Sequence, residues 1–330
     1  MSLSLGQRLL QGEFESPDKA QALLAEILEP GRSDLEIAGA LGILAARPVT
    51  PSHLAGFSRE LMSRAVPIAI DRDDFVDMCG TGGDGKNTFN ISTLAALTAA
   101  ASGVPVVKHG NVASTSHSGS SNVLTNLGIP LGKTPDEVRT QFDQHGIAFV
   151  HAPYFHPALG RLKDIRKALG FRTIFNSLGP LCNPANPQFV VTGVSSMELV
   201  RTFAETLAGA NKQFSIVYAL SGHDEVSMLG PAVMQSSRGR ATLTPESFGA
   251  VAVGEHDLSG GANEAEAADI FVRIARGEGT AAQNSVVAAN AALALNVRSG
   301  ADLPEAHSQM IETLRSGEVF RLIERMRGAA

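Results

Sequence analysis

The chain has 330 residues, 44% of them hydrophobic and 18% charged, and a formal net charge of −6 from 27 basic and 33 acidic side chains. At about 150 residues per domain the length predicts two domains, and the apolar share excludes a disordered or low-complexity chain. With two Tyr, no Trp and no basic block, a phosphate-tracking nucleic-acid surface with stacking aromatics is excluded, so any anion the protein binds is held locally.

The start, MSLSLGQRLLQGEFESPDK, has no basic segment followed by an apolar one and predicts no signal peptide. The most apolar window, 94–107, is interrupted by Thr98, Ser102, Gly103 and Pro105. It falls short of the roughly 20 apolar residues that cross a bilayer, so the expectation is a cytoplasmic protein without membrane contact. Cys79 and Cys182 lie far apart and without a CxxC or His-Cys spacing, which supports neither a disulfide framework nor a zinc knuckle.

Residues 1–66 read as helix after helix. Ser16-Pro17 and Thr50-Pro51 each put a hydroxyl at an N-cap and a proline at N1. Ser33-Asp34-Leu35-Glu36 is a capping box, and Pro30-Gly31 stops the helix before it. A small all-α domain follows from this. From residue 67 to residue 330, short β-rich runs alternate with helical ones, which predicts an α/β domain with a mainly parallel sheet flanked by helices. Strands are expected at 75–78, 104–108, 147–150, 189–193 and 214–220. A buried helix is expected over 91–101, one opening at Thr134-Pro135, one over 156–169, one opening at Ser195, and mostly Ala-rich helix from Glu264 onward.

The chemistry concentrates in Cys79-Gly-Thr-Gly-Gly-Asp-Gly-Lys-Asn-Thr-Phe-Asn-Ile-Ser-Thr93. Gly80 to Gly85 has the letters G-x-G-x-x-G, but no acid stands about 20 residues on to hold a ribose. Gly80 to Lys86 fits G-x-x-x-x-G-K, but Asn87 stands where a P-loop needs Ser or Thr. What remains is general: glycines let backbone N–H groups approach an anion, and a helix starting near Asn90-Ile91-Ser92-Thr93 points its positive end at it. Asp84 repels a phosphate in such a cradle unless a metal or a sugar hydroxyl intervenes, which favours a phosphosugar with magnesium. Lys108, expected at a strand end, and the hydroxyl-rich run Ser114 to Ser121 around Gly119 form a second polyanion contact. Adjacent Asp224 and Glu225, after the strand ending at Leu220, suit a hard cation shared with substrate phosphates. All three signals follow carboxyl ends of expected strands, where ligand crevices form in open α/β sheets.

Gly80-Thr-Gly-Gly-Asp84, Asn90-Ile-Ser-Thr93, Lys108-His-Gly-Asn111, Ser118-Gly-Ser120, Arg172-Thr-Ile-Phe-Asn176, Leu178-Gly-Pro-Leu181, Asn183-Pro184 and Asp224-Glu225-Val-Ser227 together resemble the anthranilate phosphoribosyltransferases, in order and spacing along nearly the whole chain. The resemblance implies transfer of phosphoribose from phosphoribosyl pyrophosphate (PRPP) to the amine of anthranilate in tryptophan biosynthesis, with Mg2+ as the metal. It also implies a fold like that of the pyrimidine nucleoside phosphorylases and a homodimer formed through the α-domain, which helices from about 155–180 complete.

Carried across, Gly80, Thr81, Gly82, Gly83, Asp84, Thr88, Asn90, Ser92, Thr93, Lys108 and Ser120 would hold PRPP. Asp224 and Glu225 would hold one magnesium, with Ser92 helping a second. Lys108, Asp224 and Glu225 would act on the departing pyrophosphate. His109, Asn111, Ala152, Pro153, His156, Arg166 and Pro180 would line the anthranilate path, with Arg166 near the carboxylate.

Some positions depart from the family pattern: Val112 stands for Arg, His117 for Lys, Asn122 for Asp, and Ala46-Arg47-Pro48 replaces Lys-Gly-Glu. Two lost positive charges near the phosphate loop bear on PRPP binding or on the acceptor. The alternatives are a phosphoribosyltransferase for another aromatic amine, or a nucleoside phosphorylase. The latter carry a different glycine loop and a Lys-Met-Ser-Gly-type motif that is not found here. A non-catalytic relative that binds nucleic acid is disfavoured by the net charge and the intact acid pair.

Overall fold

The computed structural model describes residues 4–110 and 120–328. Four helices come first, α1 (Leu5–Leu10), α2 (Pro17–Ile27), α3 (Asp34–Ala45) and α4 (Pro51–Ser63). Ser16 caps α2, and Ser33 with Glu36 and Thr50 with His53 close reciprocal boxes on α3 and α4. The α2–α4 crossing is tight at Gly56, where a Cβ would sit 2.3 Å from the Pro17 carbonyl oxygen and 2.6 Å from Ala20 Cβ. Gly56→Ala is therefore expected to push the helices apart at a cost of about 1–3 kcal/mol, the usual range for overpacking. A lowered thermal midpoint checks this, and an unchanged one would show slack at the crossing.

The remaining elements are β1 (Val76–Asp77), α5 (Ile91–Ala101), β2 (Val106–Gly110), α6 (Ser120–Asn126), α7 (Pro135–His145), β3 (Ile147–His151), α8 (Ala152–Phe155), α9 (Gly160–Leu169), β4 (Phe189–Gly193), α10 (Met197–Gly209), β5 (Gln213–Ala219), β6 (Ala232–Ser236), β7 (Gly239–Leu243), α11 (Glu264–Ala275), α12 (Ala281–Ser299), α13 (Leu303–Arg315) and α14 (Glu318–Gly328). Among the described residues the strands form one sheet of order β3-β2-β1-β4-β5-β6-β7, parallel from β3 to β5 and antiparallel at β6 and β7. The expected α/β class with a mainly parallel sheet is what forms.

Residues alternate between the faces of the sheet. Val191 and Val217 join a core with the nearly all-apolar helix α5 and the Ala-rich helix α12. Val190, Phe214 and Ile216 join a second core with Phe57, Phe175 and Phe203, so the first four helices share apolar packing with the other face.

Three local readings need correction. The β6–β7 hairpin was not expected, because β7 is exposed along most of its length and lacks a continuous apolar face. The single helix read over 156–169 is interrupted: α8 ends at Phe155, a 3-10 turn covers Pro157–Leu159, and α9 begins at Gly160. Pro157 lacks the N–H that would continue the ladder. Lys108 lies within β2, not at its end, because the β2–β3 pairing continues to Gly110 opposite His151.

The chain leaves β1 outward to β2 and β3, then returns to place β4 on the other side of β1. Reversal of strand order makes the carboxyl ends of β1 and β4 a topological switch point, where such sheets open a ligand crevice.

Candidate active site

The glycine loop leaves β1 at that switch point and is tied across it. Thr81 N–H donates to the Gly193 carbonyl at the end of β4 (2.9 Å). Gly82 N–H donates to Asp224 Oδ2 (2.8 Å), and Ser92 N–H, in the first turn of α5, donates to Glu225 Oε1 (2.9 Å). Residues more than 130 positions apart in sequence thus meet through direct hydrogen bonds. A carboxylate at the α5 N-terminus is stabilised by the free donors and the dipole of that end. Asp84 Oδ1 takes the Lys86 N–H (3.0 Å), and Thr88 pairs with Ser259 in an isolated antiparallel bridge. Asn90 is the N-cap residue of α5, and Thr93 is buried with an Oγ1 unpaired among the described residues.

A glycine on β4 and a buried side-chain amide, neither of them singled out by the sequence, hold the acid pair. At Gly193 a Cβ would lie 1.3 Å from the Asp224 carbonyl oxygen, so only glycine lets the Asp224 backbone close onto β4. Asn290, buried in α12, accepts from Val226 N–H (3.0 Å) and donates to Val226 O (2.9 Å), pinning the residue next to Glu225. A buried amide in an Ala-rich helix was the available signal.

The pair is electrostatically frustrated. Burial, then the nearby Asp84 charge, pushes the Asp224 carboxyl up to about 6. Burial, then Asp224 and Asp84, raises Glu225 well above the carboxylate range. Among the described residues no three His, Cys, Asp or Glu side chains enclose a cation. That donor set fits Mg2+, which keeps much of its water and is bound through one or two carboxylates together with substrate phosphates. Placed at Asp224 and Glu225, a dication would relieve the like-charge repulsion the fold has concentrated there.

Lys108 is buried, and its Nζ donates to the Met78 carbonyl at the base of the glycine loop. On the neighbouring strand Asp77 Oδ1 takes the His109 N–H (3.1 Å). Burial pushes this carboxyl up to about 6, against the pull of Lys108.

A second group surrounds the chain after α8. His109 Nδ1 lies 3.0 Å from the Gly179 carbonyl oxygen, and His156 Nε2 lies 2.7 Å from that of Cys182. Burial pushes His109 down to about 3 and lowers His156, so both imidazoles are neutral near pH 7. A carbonyl only accepts, so these two nitrogens carry the protons. His109 Nε2 and His156 Nδ1 are left as buried acceptors without partners among the described residues, on rings 5.4 Å apart. Pro180 is buried in the 3-10 turn Gly179–Leu181, while Ala152 and the exposed Pro153 open α8.

Arg166, on α9, lies 5.5 Å over the Phe175 ring and donates to Asn176 Oδ1 (3.4 Å); burial lowers its pKa. Asn111, Val112 and His117 lie outside the described residues. Ser120 begins α6, and Asn122 lies within it.

A glycine-rich loop and a buried acid pair, joined at the switch point of a parallel sheet, stand where open α/β sheets bind their ligands and offer donors that suit a hard cation. Residues 72–320 match the family described as glycosyl transferase family, a/b domain. An anthranilate phosphoribosyltransferase from Flavobacterium johnsoniae is 38% identical over 319 residues, which is 97% of each chain. The solved anthranilate phosphoribosyltransferase of Thermus thermophilus superposes with a TM-score of 0.92 at 34% identity, over 99% of both chains. That of Saccharomyces cerevisiae, in complex with PRPP and Mg, gives 0.89 at 25% identity, over 99% of this chain and 98% of that one. This chain belongs to the anthranilate phosphoribosyltransferase family.

Proposed function

We infer that this chain transfers the phosphoribosyl group of PRPP to the amine of anthranilate, giving N-(5-phosphoribosyl)anthranilate and pyrophosphate in tryptophan biosynthesis. The observation that carries the reading is the pair of hydrogen bonds, from Gly82 N–H to Asp224 and from Ser92 N–H to Glu225, that joins the acid pair to the anion loop.

In this reading Gly80, Thr81, Gly82, Gly83, Asp84, Thr88, Asn90, Ser92, Thr93, Lys108 and Ser120 hold the donor. Asp224 and Glu225 hold Mg2+, with Ser92 beside a second ion. When bound, Mg2+ neutralises charge on the departing pyrophosphate. As the C1–oxygen bond breaks, the oxygen keeps the electron pair and the sugar becomes oxocarbenium-like. The backbone donors of the loop and of the α5 N-terminus stabilise the developing anion without reorganising. The anthranilate nitrogen then donates its lone pair to C1, and the arylammonium so formed is acidic enough to lose its proton to water. No covalent nucleophile or obligatory general base is needed.

His109, Asn111, Ala152, Pro153, His156, Arg166 and Pro180 form the acceptor path. The unpaired imidazole nitrogens of His109 and His156 suit the N–H groups of an aromatic amine, and Arg166 suits its carboxylate. Arg166→Ala is expected to raise the anthranilate KM about 10–100-fold, as for loss of a hydrogen bond to a charged group, and to leave the PRPP KM in place. Equal shifts in both constants would remove Arg166 from the acceptor path.

The division into an α-domain over 1–66, joined by helices from about 155–180, and an α/β domain over 67–330 belongs to the same reading, as does a homodimer formed through the former. Among the described residues no helix is long and apolar enough to cross a membrane. Anthranilate fluorescence tests the reaction. It is expected to decay only when enzyme, PRPP and Mg2+ are all present, and persistent fluorescence in the complete mixture would overturn the acceptor assignment.

A further inference from the structure

Arg172 is exposed, yet its guanidinium grips the glycine loop. Nη1 donates to the Gly83 carbonyl (2.5 Å), and Nη2 donates to the Gly82 carbonyl (3.0 Å) and to Ser195 Oγ (3.3 Å). In a planar trans peptide the N–H of the following residue points opposite to the carbonyl. Holding the Gly82 and Gly83 carbonyls therefore turns the N–H groups of Gly83 and Asp84 away from the guanidinium, and neither donates to a described residue. Gly82 and Gly83 have φ of +62° and +74°, a turn conformation that favours glycine, and successive backbone N–H groups turned the same way in a turn form an anion-binding nest. Unfastened, two adjacent glycines populate many other conformations, and the nest would have to be ordered at each binding event.

The base of Arg172 is itself fixed. Gly170 ends α9 in the left-handed conformation, and Thr173 N–H, at the head of the following 3-10 turn, donates to Asn176 Oδ1 (3.0 Å), the same oxygen that Arg166 meets. At Gly83 a Cβ would lie 1.5 Å from Arg172 Nη1, so the loop residue and the arginine fit only as a pair.

We propose that Arg172 is a positioning residue for the donor loop: by fastening the carbonyls of Gly82 and Gly83 it presets two backbone N–H groups for the diphosphate of PRPP. This rests on the reading that the loop binds PRPP. A lysine supplies the charge but not the planar fork that holds two carbonyls at once.

The test compares wild type, Arg172→Ala and Arg172→Lys by calorimetric titration with PRPP in Mg2+, by the KM for each substrate, and by thermal melting. Arg172→Ala is expected to weaken PRPP binding and raise the PRPP KM about 10-fold or more, through lost preorganisation. The anthranilate KM and the melting midpoint should stay in place. Millimolar guanidinium should recover part of the Arg172→Ala activity, and Arg172→Lys should recover little. Unchanged PRPP affinity in Arg172→Ala, parallel rises in both KM values, or full recovery by lysine would overturn the proposal. A wild-type protein that melts normally but binds no PRPP would overturn the donor reading itself and the proposal with it.

Discussion

Exchanging Asp224 and Glu225 together for Asn and Gln is expected to lower kcat/KM about 10³-fold, the scale of losing preorganised stabilisation of a leaving anion. It should also raise the melting midpoint of the metal-free protein near neutral pH. The amide oxygens can still accept from Gly82 and Ser92, while the repulsion among Asp84, Asp224 and Glu225 is gone. The folded protein holds Asp224 at about 6 against an ordinary 3.8, so it binds more protons than the unfolded chain between those values. Wild-type stability therefore falls as pH rises through that window, and the advantage of the variant should shrink as pH drops through about 6. With Mg2+ held at this pair as proposed, protons would compete for the same oxygens, so Mg2+ affinity should weaken over the same range. A variant that melts well below wild type near neutral pH would make the pair structural.

Gly193→Ala is the second large effect. The added methyl would occupy the place of the Asp224 carbonyl oxygen, so β4 or the Asp224 segment must move. Misplacement of a catalytic group by about 1 Å commonly costs about 10²-fold in rate, and a loss of that size in kcat is expected, together with weaker Mg2+ binding. Wild-type kcat in Gly193→Ala would show that the acid pair does not depend on its seat against β4.

Legibility in the sequence followed the range of the interactions. The bounds of α5 were readable because Asn90 and Ser102-Gly103 punctuate an apolar run, and the starts of α2, α3 and α4 because hydroxyls and prolines act within one turn. The β6–β7 hairpin was not, since its outer strand presents polar residues and takes its place from pairing with β6, which in turn pairs with β5. The glycine loop and the acid pair carried local chemical signals. The roles of Gly193, Asn290 and Arg172 were not readable, because they lie in contacts with residues far away in sequence: Asp224 for Gly193, Val226 for Asn290, and Gly82 and Gly83 for Arg172. The buried setting of Lys108 and the neutral state of His109 and His156 likewise come from strands and turns packed around them.

In the mechanism proposed above, Asp224 and Glu225 would hold a divalent cation that neutralises charge on a diphosphate bound at the loop of Gly80 to Asp84. Anomalous scattering from crystals grown with Mn2+ and PRPP measures this most directly. The expected result is a Mn2+ peak in contact with both carboxylates and with the diphosphate oxygens. A peak elsewhere, or PRPP bound away from the glycine loop, would contradict it.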